Sequence, residues 1–153
     1  MKTYITRIFK YGTLISCYLL IGSVLLQIYA RFFMANTPPW TEEASRIFFI
    51  YTIAFASGLA VKSDYYVHLD LIFTKLSETA QHRLLLLVHL ITALMFLVMF
   101  LYSFQLIDLG FREKSTSMDI PMAVAFVSIL IMSGSVAYYT LLEVDRDIKN
   151  MRQ

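Results

Sequence analysis

The residues of this sequence whose types and spacing could do chemistry are concentrated in PPWTEEASRIFFIYT, residues 38–52. Glu42 precedes Arg46 by four positions and Glu43 precedes it by three, so on a helix both carboxylates can reach the guanidinium group. One arginine cannot neutralise two carboxylates. Two interpretations therefore stay open: a helix start whose acids face the positive end of the helix dipole, or a surplus negative charge that contacts another protein.

The three histidines do not form a catalytic or cofactor-binding pattern. His89 alone lies well inside an apolar stretch, and His82, seven positions earlier, shares its helical face. One helix cannot supply both axial ligands across a haem plane. His68 and Asp70 are two positions apart, which separates them by about 160° on a helix. We therefore expect His89 to be a buried neutral histidine hydrogen-bonded to a neighbouring helix, and we expect no catalytic residue, cofactor or metal ligand.

The composition is that of a membrane protein. The chain has 153 residues, of which 58% are hydrophobic and 16% charged, with a mean hydropathy of +0.64. Soluble proteins have about 45–50% apolar and about 25% charged residues. The net charge of +2 is small and the basic residues are scattered, so no nucleic-acid binding is expected. The single cysteine, Cys17, excludes a disulfide framework.

Four largely uncharged stretches predict membrane-spanning helices, and three of them are long enough without their charged flanks. The first contains 20 residues, 11–30, the length that a spanning helix needs. The second has only 15 uncharged residues, 47–61, so its helix must begin near Thr41 and carry the charge cluster at its start. Pro121 suits the first turn of the fourth. We predict one membrane domain, residues 1–153, with spans at about 11–33, 41–62, 82–108 and 120–143.

Lysine and arginine counts predict the orientation. Nine of the 13 basic residues fall in the two terminal tails and the second loop, and four fall on the opposite side. The positive-inside rule then places both termini in the cytoplasm. Within the second loop, apolar residues recur at helical spacing over residues 67–77, which predicts a short amphipathic helix on the membrane surface. Its apolar face comprises Leu69, Ile72, Phe73 and Leu76.

The order of short motifs along nearly the whole chain resembles the small membrane subunit of tripartite ATP-independent periplasmic (TRAP) transporters. The motifs are WTEEASRIFFIYTIAFASGLAVK, then YVHLD in the second loop, then MDIPMAVAF before the fourth span. Tyr66 stands where histidine is usual in that family. The residues that match the family pattern are Glu42, Glu43, Arg46, Gly58, Asp70, Ile120, Pro121, Met122 and Gly134.

The resemblance implies an all-α integral membrane protein of four spanning helices, with the amphipathic helix between spans two and three. It implies a fixed scaffold in the bacterial inner membrane, surrounded by phospholipids, beside a large multispanning elevator-type subunit. That subunit would carry the sodium and organic-acid sites, and a periplasmic binding protein would deliver a dicarboxylate or sialic acid. Glu42, Glu43, Arg46, Gly58, Asp70, Pro121 and Gly134 become interface candidates. A self-sufficient small transporter and a haem-bearing electron-transfer subunit remain the alternatives.

Overall fold

The computed structural model describes residues 2–34, 38–62 and 78–150. These residues form four α-helices, each long and apolar enough to cross a membrane. Among them lies no β-strand, only an isolated antiparallel bridge between Lys114 and Pro121. The expected all-α fold with four spanning helices is confirmed. In chain order the helices are α1 (Lys2–Phe33), α2 (Trp40–Lys62), α3 (Glu78–Gly110) and α4 (Ala123–Asn150).

Three of the helices extend beyond the predicted spans. The longest, α3, has 33 residues, which is about 50 Å against a hydrocarbon core of about 30 Å. It must therefore protrude from the core or cross it with a tilt. The predicted amphipathic helix at 67–77, with Leu69, Asp70, Ile72, Phe73 and Leu76, lies outside the described residues and stays a prediction.

The helices pack in the spatial order α1, α2, α4, α3. The extensive contacts among the described residues join α1 to α2, α2 to α4, and α3 to α4. The two central helices contain most of the buried positions, whereas α1 and α3 form the two edges and expose much of their apolar surface. The fold is therefore an open row of helices, and its edge helices have surface available for lipid or for another protein.

Small residues allow the central helices to approach closely. A methyl group added at Gly58 of α2 would lie 2.7 Å from the Ser135 Cβ of α4. One added at Gly134 would lie 3.0 Å from the ring of Phe100 in α3. Because lipid chains are as apolar as leucine, close packing of this kind is a main source of helix association in membranes.

Most hydroxyl groups inside the helices bond to their own backbone. Thr13 donates to the carbonyl of Phe9 at 2.9 Å, and Ser133 donates to the carbonyl of Ile129 at 2.7 Å. The same arrangement occurs at Thr52, Ser57, Ser103, Ser128 and Ser135. This local bonding satisfies the hydroxyls where no water is present.

Candidate interaction site at the start of α2

The start of α2 is built by the residues before it. Pro38 and Pro39 prevent the helix from extending toward the N-terminus. The Thr41 hydroxyl donates a hydrogen bond to the carbonyl of Pro38 at 2.9 Å. Glu42 and Glu43 then occupy the first turn, where the helix dipole favours negative charge. The charge cluster therefore marks one end of the molecule, which we call the hairpin end because the loop between α3 and α4 lies there.

The two acids of the cluster have different partners. Glu42 Oε1 accepts a hydrogen bond from Arg46 NH2 at 2.6 Å, and both side chains are more than half exposed. Exposed pairs at this spacing contribute only about 0.2–0.5 kcal/mol. Glu42 and Arg46 therefore present a neutralised but accessible polar surface.

Glu43 is held by the α3–α4 loop, residues 111–122. Its Oε2 accepts hydrogen bonds from the Ser117 hydroxyl, from the Ser117 N–H at 3.3 Å and from the Met118 N–H at 3.2 Å. These donors lie 74 and 75 positions later in the sequence. The carboxylate that a single arginine could not neutralise therefore has partners within the chain.

The loop that binds Glu43 has a hairpin-like structure of its own. The Ser115 N–H donates to the Ile120 carbonyl at 2.9 Å, and the Met122 N–H donates to the Glu113 carbonyl at 3.0 Å. At its tip Asp119 adopts a left-handed backbone conformation with φ of 54°, which aspartate tolerates better than most residues. These bonds fix the direction of the N–H groups that reach Glu43.

A cavity of about 490 Å³ lies between the start of α2 and the α3–α4 loop. Tyr51 donates a hydrogen bond to the Val124 carbonyl at 2.8 Å, which ties α2 to the first turn of α4. The lining combines charged, hydroxyl and aliphatic side chains, so it suits a polypeptide segment better than a purely apolar ligand. The cavity is lined by Pro39, Glu42, Glu43, Arg46, Ile47, Ile50, Ser115, Thr116, Ser117, Ile120, Pro121, Met122 and Ala125.

The structure brings four of the seven candidate interface residues together around this cavity, namely Glu42, Glu43, Arg46 and Pro121. The sequence had indicated that Pro121 lies in the first turn of the fourth helix. In the structure it lies two residues before α4. The reason is that residue 121 pairs with Lys114 across the loop, so the extended backbone continues to that point. Its carbonyl accepts the Val124 N–H at 3.1 Å, which begins the helix.

The other candidates lie elsewhere. Gly58 and Gly134 face neighbouring helices of this chain, as described above, and Gly58 is buried. Their closest contacts are therefore internal. Asp70 lies outside the described residues.

At the opposite end of the molecule, His89 Nδ1 lies 2.7 Å from Asp147 Oδ2. The predicted hydrogen bond from His89 to a neighbouring helix is confirmed, and it joins α3 to α4. Both side chains are about one-fifth exposed, at 19% and 20%, so His89 is half-buried, whereas the sequence had indicated a fully buried histidine. The sequence had indicated that His89 lies well inside an apolar stretch. Its partner Asp147 belongs to the last turn of α4, so His89 lies nearer to that end of the molecule than expected.

Ser117 and Met118 are site residues whose role the sequence did not indicate. The signal present in the sequence is the run KSTSMD, residues 114–119, where small hydroxyl residues in a turn offer donors to a carboxylate. Since the run is distant from Glu43 along the chain, spacing alone could not pair them.

Comparison with known proteins agrees with this architecture. The family described as "Tripartite ATP-independent periplasmic transporters, DctQ component" matches residues 20–150. A Haemophilus influenzae protein named as a TRAP transporter small permease protein is 23% identical over 147 residues, which cover 95% of this chain and 88% of that protein. The family match spans well over half of the sequence and includes the start of α2, the α3–α4 loop and α4. The chain therefore belongs to the family of DctQ components, the small permeases of tripartite ATP-independent periplasmic transporters.

Proposed function

We propose that this chain is the fixed scaffold of a sodium-driven TRAP transporter for organic acids of the dicarboxylate or sialic acid type. The large subunit would move as an elevator beside it. The observation that carries the proposal is the open row of helices, whose edges expose apolar surface. Every acid of the described residues lies near a helix end or in the α3–α4 loop. The described part of the chain therefore offers surface for a neighbour, and its acids lie toward the helix ends, whereas an acid used for ion coupling is expected inside the membrane.

The proposed orientation places both termini in the cytoplasm and the hairpin end in the periplasm. The distribution of basic residues, nine against four, supports it. Phospholipids would cover the apolar surface that the large subunit leaves free.

In this orientation the cavity at the hairpin end opens to the periplasm, where it supports a role in docking the binding protein. Glu42 and Arg46 are the charged side chains on its rim that another protein can reach. Glu43 has an internal role in the same proposal, because it holds the loop that forms one wall of the cavity. The two alternatives, a self-sufficient transporter and a haem-bearing subunit, receive no support from the family assignment.

Co-expression with the large subunit and the binding protein tests the proposal. A tag on this chain should recover the large subunit, and proteoliposomes holding both should take up an organic acid when a sodium gradient and the binding protein are supplied. This chain by itself should give no uptake. Solute accumulation by the isolated chain, or recovery of no large subunit, would overturn the scaffold function.

Charge reversal tests the docking role separately. Arg46→Glu should weaken stimulation of uptake by the binding protein while the two membrane subunits still co-purify. Arg112→Glu, also at the hairpin end and also exposed, is the matched control. Equal effects of the two changes would remove Arg46 from the docking surface.

A further inference from the structure

The two opposite faces of α1 differ in composition. The face toward α2 carries small or polar residues, among them Gly12, Ser16 and Ala30, which are buried or half-buried. The face turned away from α2 carries exposed residues separated alternately by four and three positions. We call this second face the outward stripe; it consists of Tyr11, Ile15, Tyr18, Gly22, Leu25 and Tyr29.

Tyr18 lies at the middle of the apolar helical segment Tyr4–Phe33, inside the predicted span 11–33, and is 71% exposed. Within the described part of the chain, nothing hydrogen-bonds to its hydroxyl. Tyrosine in membrane proteins is enriched at the interfaces, where its hydroxyl reaches water or headgroups. A hydroxyl in hydrocarbon without a partner is costly, so the position of Tyr18 requires an acceptor.

Most other hydroxyls deep in the described part of the molecule have such partners, Thr140 being an exception. Serines and threonines bond to their own helices, Tyr51 donates to the Val124 carbonyl, and the hydroxyl groups of Tyr139 and Thr6 are 3.2 Å apart. The rigid ring of Tyr18 holds its hydroxyl away from the backbone of α1, so the hydroxyl cannot donate to a carbonyl of its own helix. Lipid chains supply no acceptor. No described residue and no lipid chain supplies an acceptor for Tyr18, so one is expected on another polypeptide.

Gly22 lies one turn from Tyr18 on the same stripe. A methyl group added at Gly22 would meet nothing within 4 Å, whereas one added at Gly12, Gly58, Gly110 or Gly134 would meet a neighbour in this chain. Small residues on membrane helices mark places where a second helix approaches closely. Gly22 therefore leaves room for a helix at the depth where Tyr18 needs an acceptor.

The opposite edge of the row lacks these features. From position 87 to 98 the strongly exposed residues of α3 are all leucine, valine, isoleucine or methionine, as expected for contact with lipid. The outward stripe, with three tyrosines, exposes on the order of 500 Å² if an aromatic side chain carries about 150–250 Å². That is a large part of the roughly 800 Å² that each partner contributes to a stable interface.

We propose that the outward stripe of α1 packs against a transmembrane helix of the large membrane subunit, with a hydrogen-bond acceptor of that helix at Tyr18 and its backbone close to Gly22. The inference rests on the proposed function, because it names the surface that meets the partner already proposed. The α3 edge is then the lipid-facing edge.

Photo-cross-linking in the co-expressed complex tests the contact directly. A benzophenone amino acid in place of Tyr18 should give an adduct with the large subunit, and the same group in place of Leu94 on α3 should give none. An adduct from position 94 and none from position 18 would overturn the proposal. So would an adduct from position 18 to a second copy of this chain, since the stripe would then serve self-association.

Substitutions test the energetics with matched controls. Tyr18→Phe should reduce recovery of the large subunit about threefold, since a hydrogen bond between membrane helices averages about 0.6 kcal/mol. Tyr102→Phe, an exposed tyrosine within about two turns of the end of α3, should leave it unchanged. Gly22→Trp should reduce recovery of the large subunit more than Leu94→Trp does. When purified without the large subunit, the Gly22→Trp chain should elute from a sizing column at the same volume as the wild-type chain, because position 22 contacts nothing within the described part of this chain.

These outcomes separate the inference from the function on which it rests. If the wild-type chain recovers no large subunit, the scaffold function itself is wrong. If the wild-type complex assembles and transports while the Tyr18 and Gly22 variants match their α3 controls, the scaffold function stands and the outward stripe is excluded as the contact surface.

Discussion

Glu43 is the residue whose role depends most on the tertiary structure. In the sequence it appears as a second carboxylate beside one arginine. In the fold it accepts hydrogen bonds from Ser117 and Met118, while Glu42 pairs with Arg46. The cluster at the start of α2 therefore divides into an exposed ion pair and a carboxylate that holds the α3–α4 loop.

Replacing Glu43 should loosen that loop. We expect Glu43→Ala to lower the midpoint of thermal unfolding in detergent by a few degrees and to speed proteolysis between residues 111 and 122, because three hydrogen bonds to a charged acceptor are lost. Glu42→Ala is the control, and it should change the midpoint little because its pair with Arg46 is exposed. Equal effects of the two changes would show that Glu43 does not hold the loop.

Thr140 gives a second prediction for a single residue. Its side chain is 1% exposed, and Oγ1 has no hydrogen-bond partner among the described residues. Thr140→Val keeps the shape and removes the unpaired hydroxyl, so the free energy of unfolding in mixed micelles should rise by about 1 kcal/mol. Thr140→Ala should lower it by leaving a cavity. A marked loss of stability in the valine variant would mean that the hydroxyl has a partner.

At the scale of the helices, long uncharged stretches determine where each span occurs, and small residues determine how the spans meet. Gly58 and Ser135 bring α2 and α4 together, and Gly134 makes room for Phe100 between α4 and α3. Gly22 on α1 makes no such contact within the chain. The sequence does not distinguish these glycines, whereas the structure places Gly58 and Gly134 at contacts between helices and leaves Gly22 without one among the described residues.

Alanine substitution distinguishes these glycines. Gly58→Ala should lower the free energy of unfolding by about 1–3 kcal/mol, because its methyl group would lie 2.7 Å from the Ser135 Cβ. Gly22→Ala in the isolated chain should be neutral or raise stability by up to about 1 kcal/mol, since alanine is the better helix former. Thermal or denaturant unfolding measures both. The same loss in both variants would contradict the close α2–α4 contact.

The predicted amphipathic helix at 67–77 has its own test. Replacing Leu69, Ile72 and Phe73 together with serine removes most of the face expected to enter the membrane surface, so recovery of the large subunit or organic-acid uptake should fall. Lys75→Gln, on the polar side, should leave both unchanged. Normal assembly and transport in the triple variant would refute a supporting role for this segment.

At the scale of the whole molecule, the open row has two unlike edges and two unlike ends. The outward stripe of α1 carries a tyrosine near the middle of its helix, and the exposed residues near the middle of α3 are aliphatic or methionine. One end holds the cavity and the α3–α4 loop, and the other joins α3 to α4 through His89 and Asp147. A molecule of this shape suits a fixed position between a protein partner and lipid.

The orientation prediction applies to the molecule as a whole. Because the amino-terminal tail, the second loop and the carboxyl tail carry nine of the 13 basic residues, both termini should face the cytoplasm. A fluorescent protein fused after Gln153 should therefore fluoresce, and alkaline phosphatase fused there should be inactive. Phosphatase inserted after Thr116 should be active. The reverse pattern would invert the proposed positions of the cavity and the basic tails.

The sequence by itself determined the membrane class, the four spans and the family resemblance, and it placed Glu42 and Glu43 within reach of Arg46. These properties depend on local hydropathy and on neighbours within one helical turn. Only the tertiary structure decided that Glu43 belongs to the α3–α4 loop, that Asp147 is the partner of His89, and that Gly58 and Gly134 face inward. These contacts join residues distant in sequence, and their pairing depends on the spatial order of the helices, which local periodicity does not encode.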